Sequence, residues 1–146
     1  AIMSTNLITV SPSATLAEAR SLMHEHRIHH IPVMDEDRIV GLVTLTNVLA
    51  ATDSFLRDDQ SRIHADEIGI KDTMVTDVAT VDINASLRHA ALFLEKHKIG
   101  CLPVLDGDKL VGIITDTDFV AVAFNLLEQI EETEPVTEDY VDVDVA

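Results

Sequence analysis

Shifted by 71 residues, the chain aligns with itself without a gap. Positions 3–48 lie on positions 74–119, and seventeen of those 46 pairs are identical. The matches include Thr9/Thr80, Val10/Val81, Ala19/Ala90, His26/His97, Pro32/Pro103, Gly41/Gly112 and Thr44/Thr115. Internal self-similarity of this kind marks one structural unit used twice. It limits the fold strongly, because whatever one copy forms the other must form too. A unit of about 50 residues buries too little surface to be comfortable alone, so two copies are expected to pack sheet against sheet.

Each copy reads β-α-β-β-α. A short extended piece (residues 7–10 and 78–81) leads into a helix. In the first copy Thr15 and Glu18 have the spacing of a capping box, in which each side chain satisfies the other's backbone N–H. Leu16, Ala19, Leu22, Met23 and His26 then share one helical face, as Leu87, Ala90, Leu94 and His97 do in the second copy. Two apolar runs follow, residues 31–34 and 39–43, joined by Asp35-Glu36-Asp37; the second copy turns on Asp106-Gly107-Asp108. These paired carboxylates read as turn residues, not as an acid–base pair. A second helix starts near Thr46 and near Thr117, and Phe119, Val120, Ala123, Leu126, Leu127 and Ile130 form its apolar stripe. The fold class expected is α+β. Its parts are residues 1–57 (first repeat), 58–72 (a polar linker), 73–130 (second repeat) and 131–146 (an acidic tail).

Charge narrows the partners. Ten Lys plus Arg against 26 Asp plus Glu give a net charge of −16, and the last 19 residues hold eight of the acids and no base. That balance argues against a nucleic-acid partner, which needs clustered cations, and for a solvated, disordered tail. The single cysteine, Cys101, excludes an intrachain disulfide framework and points to a reducing, cytoplasmic setting. No apolar run approaches the roughly 20 residues that span a bilayer, and no leader pattern opens the chain. The first Met stands third, so the expectation is a trimmed start with Ala1 foreign to the protein.

Chemistry is expected where a strand hands over to a helix. Gly41-Leu42-Val43-Thr44-Leu45-Thr46-Asn47 and Gly112-Ile113-Ile114-Thr115-Asp116-Thr117-Asp118 occupy matching places. Free N–H groups at a helix start suit a phosphate, a Thr hydroxyl adds a donor, and an Asp three residues on can accept from ribose hydroxyls. The same Thr-x-x-Asp spacing is also that of an ordinary helix cap, so residue type alone leaves both readings open.

The wider pattern decides more. Gly-apolar-apolar-Thr-x-x-Asp/Asn, preceded by Ile31-Pro32-Val33-Met34-Asp35 and Leu102-Pro103-Val104-Leu105-Asp106, resembles the CBS (cystathionine β-synthase) domain in two copies. The chain is similar to small bacterial proteins made of one CBS pair, including the acetoin-utilisation type. The resemblance implies a pseudo-two-fold pair, or Bateman module, with two clefts between repeats that can hold an adenosine-containing ligand. One cleft would use Thr115 and Asp118, lined by Ser4, Leu7, Ile8, Ile28, His29 and Cys101. The other would use Thr44 and Asn47, lined by Val75, Val78, Ala79, Ile99 and His30. Asn47 is a neutral acceptor, and a −16 field draws in polyphosphate poorly, so AMP or a less charged adenosyl compound is favoured over ATP. No cofactor is required by this reading. A homodimer, with an unidentified protein partner, completes it.

Other constellations point elsewhere. His24, His26, His29 and His30 crowd together without the ligand spacing of a closed metal site, so no metal is expected. His26 and His97, on apolar faces, read as core histidines. Cys101, at a strand start, reads as a small buried residue and not a nucleophile. No phosphate-binding Gly loop or nucleophile motif occurs, so no catalysis is expected, and the resemblance implies a regulatory module. The rival is a structural dimerisation module with no ligand.

Overall fold

The computed structural model describes residues 7–56 and 68–133. Ser4, the start of the chain, most of the expected linker and the tail from residue 134 lie outside those residues. The fold is α+β. The first repeat contributes α1 (Leu16–His26), β1 (His30–Asp35), β2 (Arg38–Thr44) and α2 (Leu45–Leu56). A 3₁₀ turn at Ile70–Asp72 precedes the second repeat: β3 (Val81–Asp82), α3 (Leu87–His97), β4 (Cys101–Asp106), β5 (Lys109–Thr115) and α4 (Asp116–Thr133).

Local sequence explains these boundaries. The Glu18 N–H donates to Thr15 Oγ1 at 3.2 Å and the Thr15 N–H to the Glu18 carboxylate at 3.3 Å, completing the capping box of α1. Ser86 caps α3 in the same way, accepting from the His89 N–H at 3.1 Å. Both helices stop on a residue in the left-handed region, Arg27 and Lys98, each at φ 53°. The hairpins agree strand for strand: β1 and β2 pair antiparallel with a bulge at Val33/Met34, and β4 and β5 with one at Val104/Leu105. At the turns Glu36 and Gly107 take the same positive φ, 54° and 63°, a conformation free for Gly and costly for Glu. The opening extended pieces are weaker than expected. Val10 makes one parallel bridge to Val33, and β3 is two residues pairing with β4.

The repeats meet through their equivalent strands β2 and β5. The larger core belongs to the first repeat, where Leu16, Ala19, Ile31, Val33, Val43 and Val48 are buried. The expected polar linker supplies two of its members, because Ile68 and Ile70 are buried against α1. Backbone bonds fix them there: the Leu16 N–H donates to the Ile68 carbonyl at 2.9 Å and the Ile70 N–H to the Ala14 carbonyl at 3.0 Å. The chain then bridges Val75 to Leu42 through reciprocal bonds of 2.8 and 2.9 Å. Leu16 is 1% exposed as a result, whereas its counterpart Leu87 is 47% exposed.

One expectation is corrected. His26 and His97 are exposed, not in the core, because each lies in the last turn of its helix where the chain leaves the apolar face. His97 instead rests on Phe93, ring centroids 4.2 Å apart. The last helix also runs on through Thr133 with a bare apolar side, Val120, Phe124 and Leu127 being more than half exposed. No helix among the described residues is long and apolar enough to cross a membrane.

Candidate functional site

Between the repeats lies a cavity of about 390 Å³, within the range of small-molecule sites. One wall is the chain around Leu7 and Ile8 with the α1–β1 junction, Arg27 to His30; the other is the end of β5 and the first turn of α4. The antiparallel hairpin carries Thr115 to the rim, and α4 starts at once, placing Asp118 one turn further on. The Thr115 N–H donates to the Asp118 carboxylate at 2.9 Å, and the Asp118 N–H donates to Thr115 Oγ1 at 3.4 Å. The two side chains are thus locked to each other at the cavity edge.

Of the residues assigned to this cleft from sequence, Leu7, Ile8, Ile28, His29, Thr115 and Asp118 line the cavity together. Ser4 falls outside the described residues. Cys101, at the start of β4, does not line the cavity and is 4% exposed. Burial, with the nearby Asp116 and Asp118 carboxylates, pushes its thiol up to about 12, so it stays protonated.

His30 was assigned to the other cleft but lines this one. Its ring reaches across to the second repeat and lies beside Gly100, where a Cβ would stand 3.4 Å from His30 Nε2 and 3.5 Å from Asp116 Oδ2. The imidazole and the carboxylate occupy the room beside that bare backbone. Burial holds His30 below the ordinary imidazole value, with Asp116 opposing the shift and His29 adding to it.

Sequence reasoning missed three polar contributors, Arg27, Asp116 and Thr117. Arg27 reaches the cavity because it ends α1 in a left-handed turn, a feature no motif encodes. Asp116 opens α4 with its carboxylate accepting the Thr117 N–H at 2.9 Å.

The residues assigned to the second cleft are not brought to this cavity, His30 apart. Thr44 accepts the Asn47 N–H at 3.2 Å, repeating half of the Thr115–Asp118 arrangement. Ala79 and Ile99 pack against the core of the second repeat, built on Ala90, Leu94 and Leu102. Val75 is tied through its backbone to Leu42. No group of three His, Cys, Asp or Glu suited to a metal ion occurs among the described residues.

The relatives share this architecture. In CBSX2, solved in complex with AMP, the match has a TM-score of 0.72 at 29% identity, covering 86% of this chain and 95% of that one. The CBS domain pair of protein MJ0100, solved with 5′-methylthioadenosine and S-adenosyl-L-methionine, matches at 0.74 with 25% identity over 86% and 94%. An acetoin utilization protein (AcuB) from Vibrio cholerae matches at 0.75 with 41% identity over 92% and 95%. By sequence, the CBS domain-containing protein YhcV of Bacillus subtilis is 33% identical over 112 residues, 77% of this chain and 75% of that protein. Other relatives are longer: the chain spans 21% of the inosine-5'-monophosphate dehydrogenase of Thermoplasma acidophilum, at 32% identity. The family model for the CBS domain matches twice, at residues 1–54 and 70–125. Two repeats of one architecture, joined through equivalent strands and matched separately by that model, make this chain a member of the CBS domain family.

Proposed function

We propose that this chain is a non-catalytic regulatory module that binds an adenosine-containing ligand in the cavity between its repeats and signals by a change of shape or assembly. The observation that carries the reading is the cavity itself, which sets the Thr115–Asp118 pair opposite the apolar side chains of Leu7, Ile8 and Ile28. A purine needs flat apolar contact and a ribose needs a strong acceptor, and the two walls supply one each. A carboxylate accepts at both oxygens, so Asp118 can hold the Thr115 amide and still take a ribose hydroxyl. Two relatives of the same architecture are described with adenosyl compounds bound, AMP in one and sulfur-linked adenosines in the other. Assembly enters through α4, whose exposed Val120, Phe124 and Leu127 suit a second copy of the chain across a two-fold axis.

A helix cap with no ligand remains the rival, favoured by the reciprocal Thr115–Asp118 bonds, which are complete without one. Calorimetric titration of AMP, 5′-methylthioadenosine and S-adenosylmethionine into the wild type and Asp118→Asn separates them. Ligand binding predicts a loss of about 1–2 kcal/mol, or roughly five- to thirtyfold, the scale of a hydrogen bond to a charged group. The cap predicts a stability loss of some tenths of a kcal/mol and no heat with any of the three.

A further inference from the structure

The first turn of α4 carries its own anions. The Asp116 N–H donates to the Gly100 carbonyl at 3.0 Å, the Thr117 N–H to the Asp116 carboxylate at 2.9 Å, and the Asp118 N–H to Thr115 Oγ1 at 3.4 Å. The three amides that an incoming phosphate would use at a helix start are therefore already taken, two of them by side chains. Asp116 and Asp118 also place two carboxylates on the wall where the helix dipole would otherwise attract an anion. Arg27, across the cavity, is the one Lys or Arg among the described lining residues.

Asp116 is a local departure from the repeat. Its counterpart in the first copy is Leu45, which packs against the first core. The residues beside it depart as well: His30 corresponds to Cys101, and Gly100 to His29. Gly100 leaves the carboxylate uncovered, with the His30 ring on the other side of the same space. Of these three neighbouring differences, the Leu45-to-Asp116 exchange alone adds a negative charge, and it adds it to this cavity's wall.

We propose that Asp116 is a specificity-determining residue of this cleft, selecting adenosyl ligands whose 5′ substituent is cationic or uncharged over those ending in phosphate. The inference rests on the adenosine reading of the cavity and extends the electrostatic argument against polyphosphates to a single phosphate. A carboxylate within several ångströms of a bound 5′ group discriminates between a cation and a dianion, attracting the one and repelling the other.

Asp116→Asn tests it, because an amide oxygen can still accept the Thr117 N–H while the charge is gone. In the full chain, calorimetry with S-adenosylmethionine, 5′-methylthioadenosine and AMP reads out three affinities. The expected result is an AMP affinity raised about tenfold, an S-adenosylmethionine affinity lowered several-fold, and 5′-methylthioadenosine unchanged within about twofold. Raising the salt concentration should narrow the ratio of the two charged ligands in the wild type and barely move it in the variant. Equal shifts for all three ligands, or an unchanged AMP-to-S-adenosylmethionine ratio, would overturn the role of Asp116 and leave the adenosine reading standing. No binding of any of the three to wild type or variant would instead overturn the adenosine reading, and this inference with it.

Discussion

Gly41→Ala is the substitution for which the structure gives the clearest magnitude. A Cβ at Gly41 would lie 2.5 Å from Met74 Sδ, 3.0 Å from Met74 Cγ and 3.2 Å from the Val75 carbonyl oxygen. The thioether can swing aside, since methionine is the most adaptable of core side chains. The carbonyl cannot, because it accepts the Leu42 N–H at 2.9 Å and its own residue donates back to Leu42 at 2.8 Å. Overpacking of this kind costs about 1–3 kcal/mol, and relief of glycine's backbone entropy returns about 0.5–1 kcal/mol. The net expectation is a loss of about 1–2 kcal/mol, or a fall in Tm of about 3–8 °C for a chain of this size. Gly69→Ala is the control. Nothing lies within 4 Å of its added Cβ, and its φ of −74° suits any residue, so its effect should be neutral or slightly stabilising. Urea denaturation of both variants measures the argument directly. Gly41→Ala as stable as Gly69→Ala would show that the close approach of the Val75 carbonyl is not what keeps glycine there.

Burial holds His30 below its ordinary 6.5, so the unfolded chain takes up that proton first as the pH falls. Stability should drop below about pH 6.5 and the loss should level off below the folded value; His30→Gln should flatten that part of the profile, and parallel profiles would refute the assignment. Cys101, with its thiol at about 12, should react with a thiol reagent at pH 8 at least about a hundredfold slower in the native protein than in denaturant. Comparable rates would mean that the strand start is open to solvent. If α4 seats a second copy, light scattering at tens of micromolar should give a dimer that Val120→Asp with Phe124→Asp converts to a monomer of unchanged circular dichroism. A wild-type monomer would remove that interface.

Much of the architecture was legible because the repeat states each local signal twice. The capping pair Thr15 and Glu18, the Asp-x-Asp turns and the Thr115–Asp118 spacing are short-range features, and the structure forms them as written. The polar stretch before the second repeat was misread because it was judged by average composition. Ile68 and Ile70 are two apolar residues in a charged neighbourhood, and only their pairing with Ala14 and Leu16, more than 50 positions away, makes them core. His26 and His97 misled for a related reason: helical spacing fixes the face a residue occupies but not where the packed part of the helix stops. In the cleft, Thr115 and Asp118 carry a motif, whereas Arg27 arrives through a left-handed helix end and His30 through its approach to Gly100 of the other repeat. Both depend on how the copies face one another, which no single copy encodes.

The backbone that opens the second copy also closes the first, and the unit of duplication is therefore out of step with the unit of stability. Cutting the chain at the end of α2 would yield a tidy sequence repeat with Leu16 stripped of its cover and the β2 edge at Leu42 unpaired. Cutting after Val75 would yield a longer piece that keeps both. A designer who wants one half of this protein, or who grafts it onto another chain, should therefore carry the chain through Val75 across the junction. The lesson extends to inheritance: once a duplicated gene has interleaved its products in this way, the second half cannot be lost at the repeat boundary without uncovering the first.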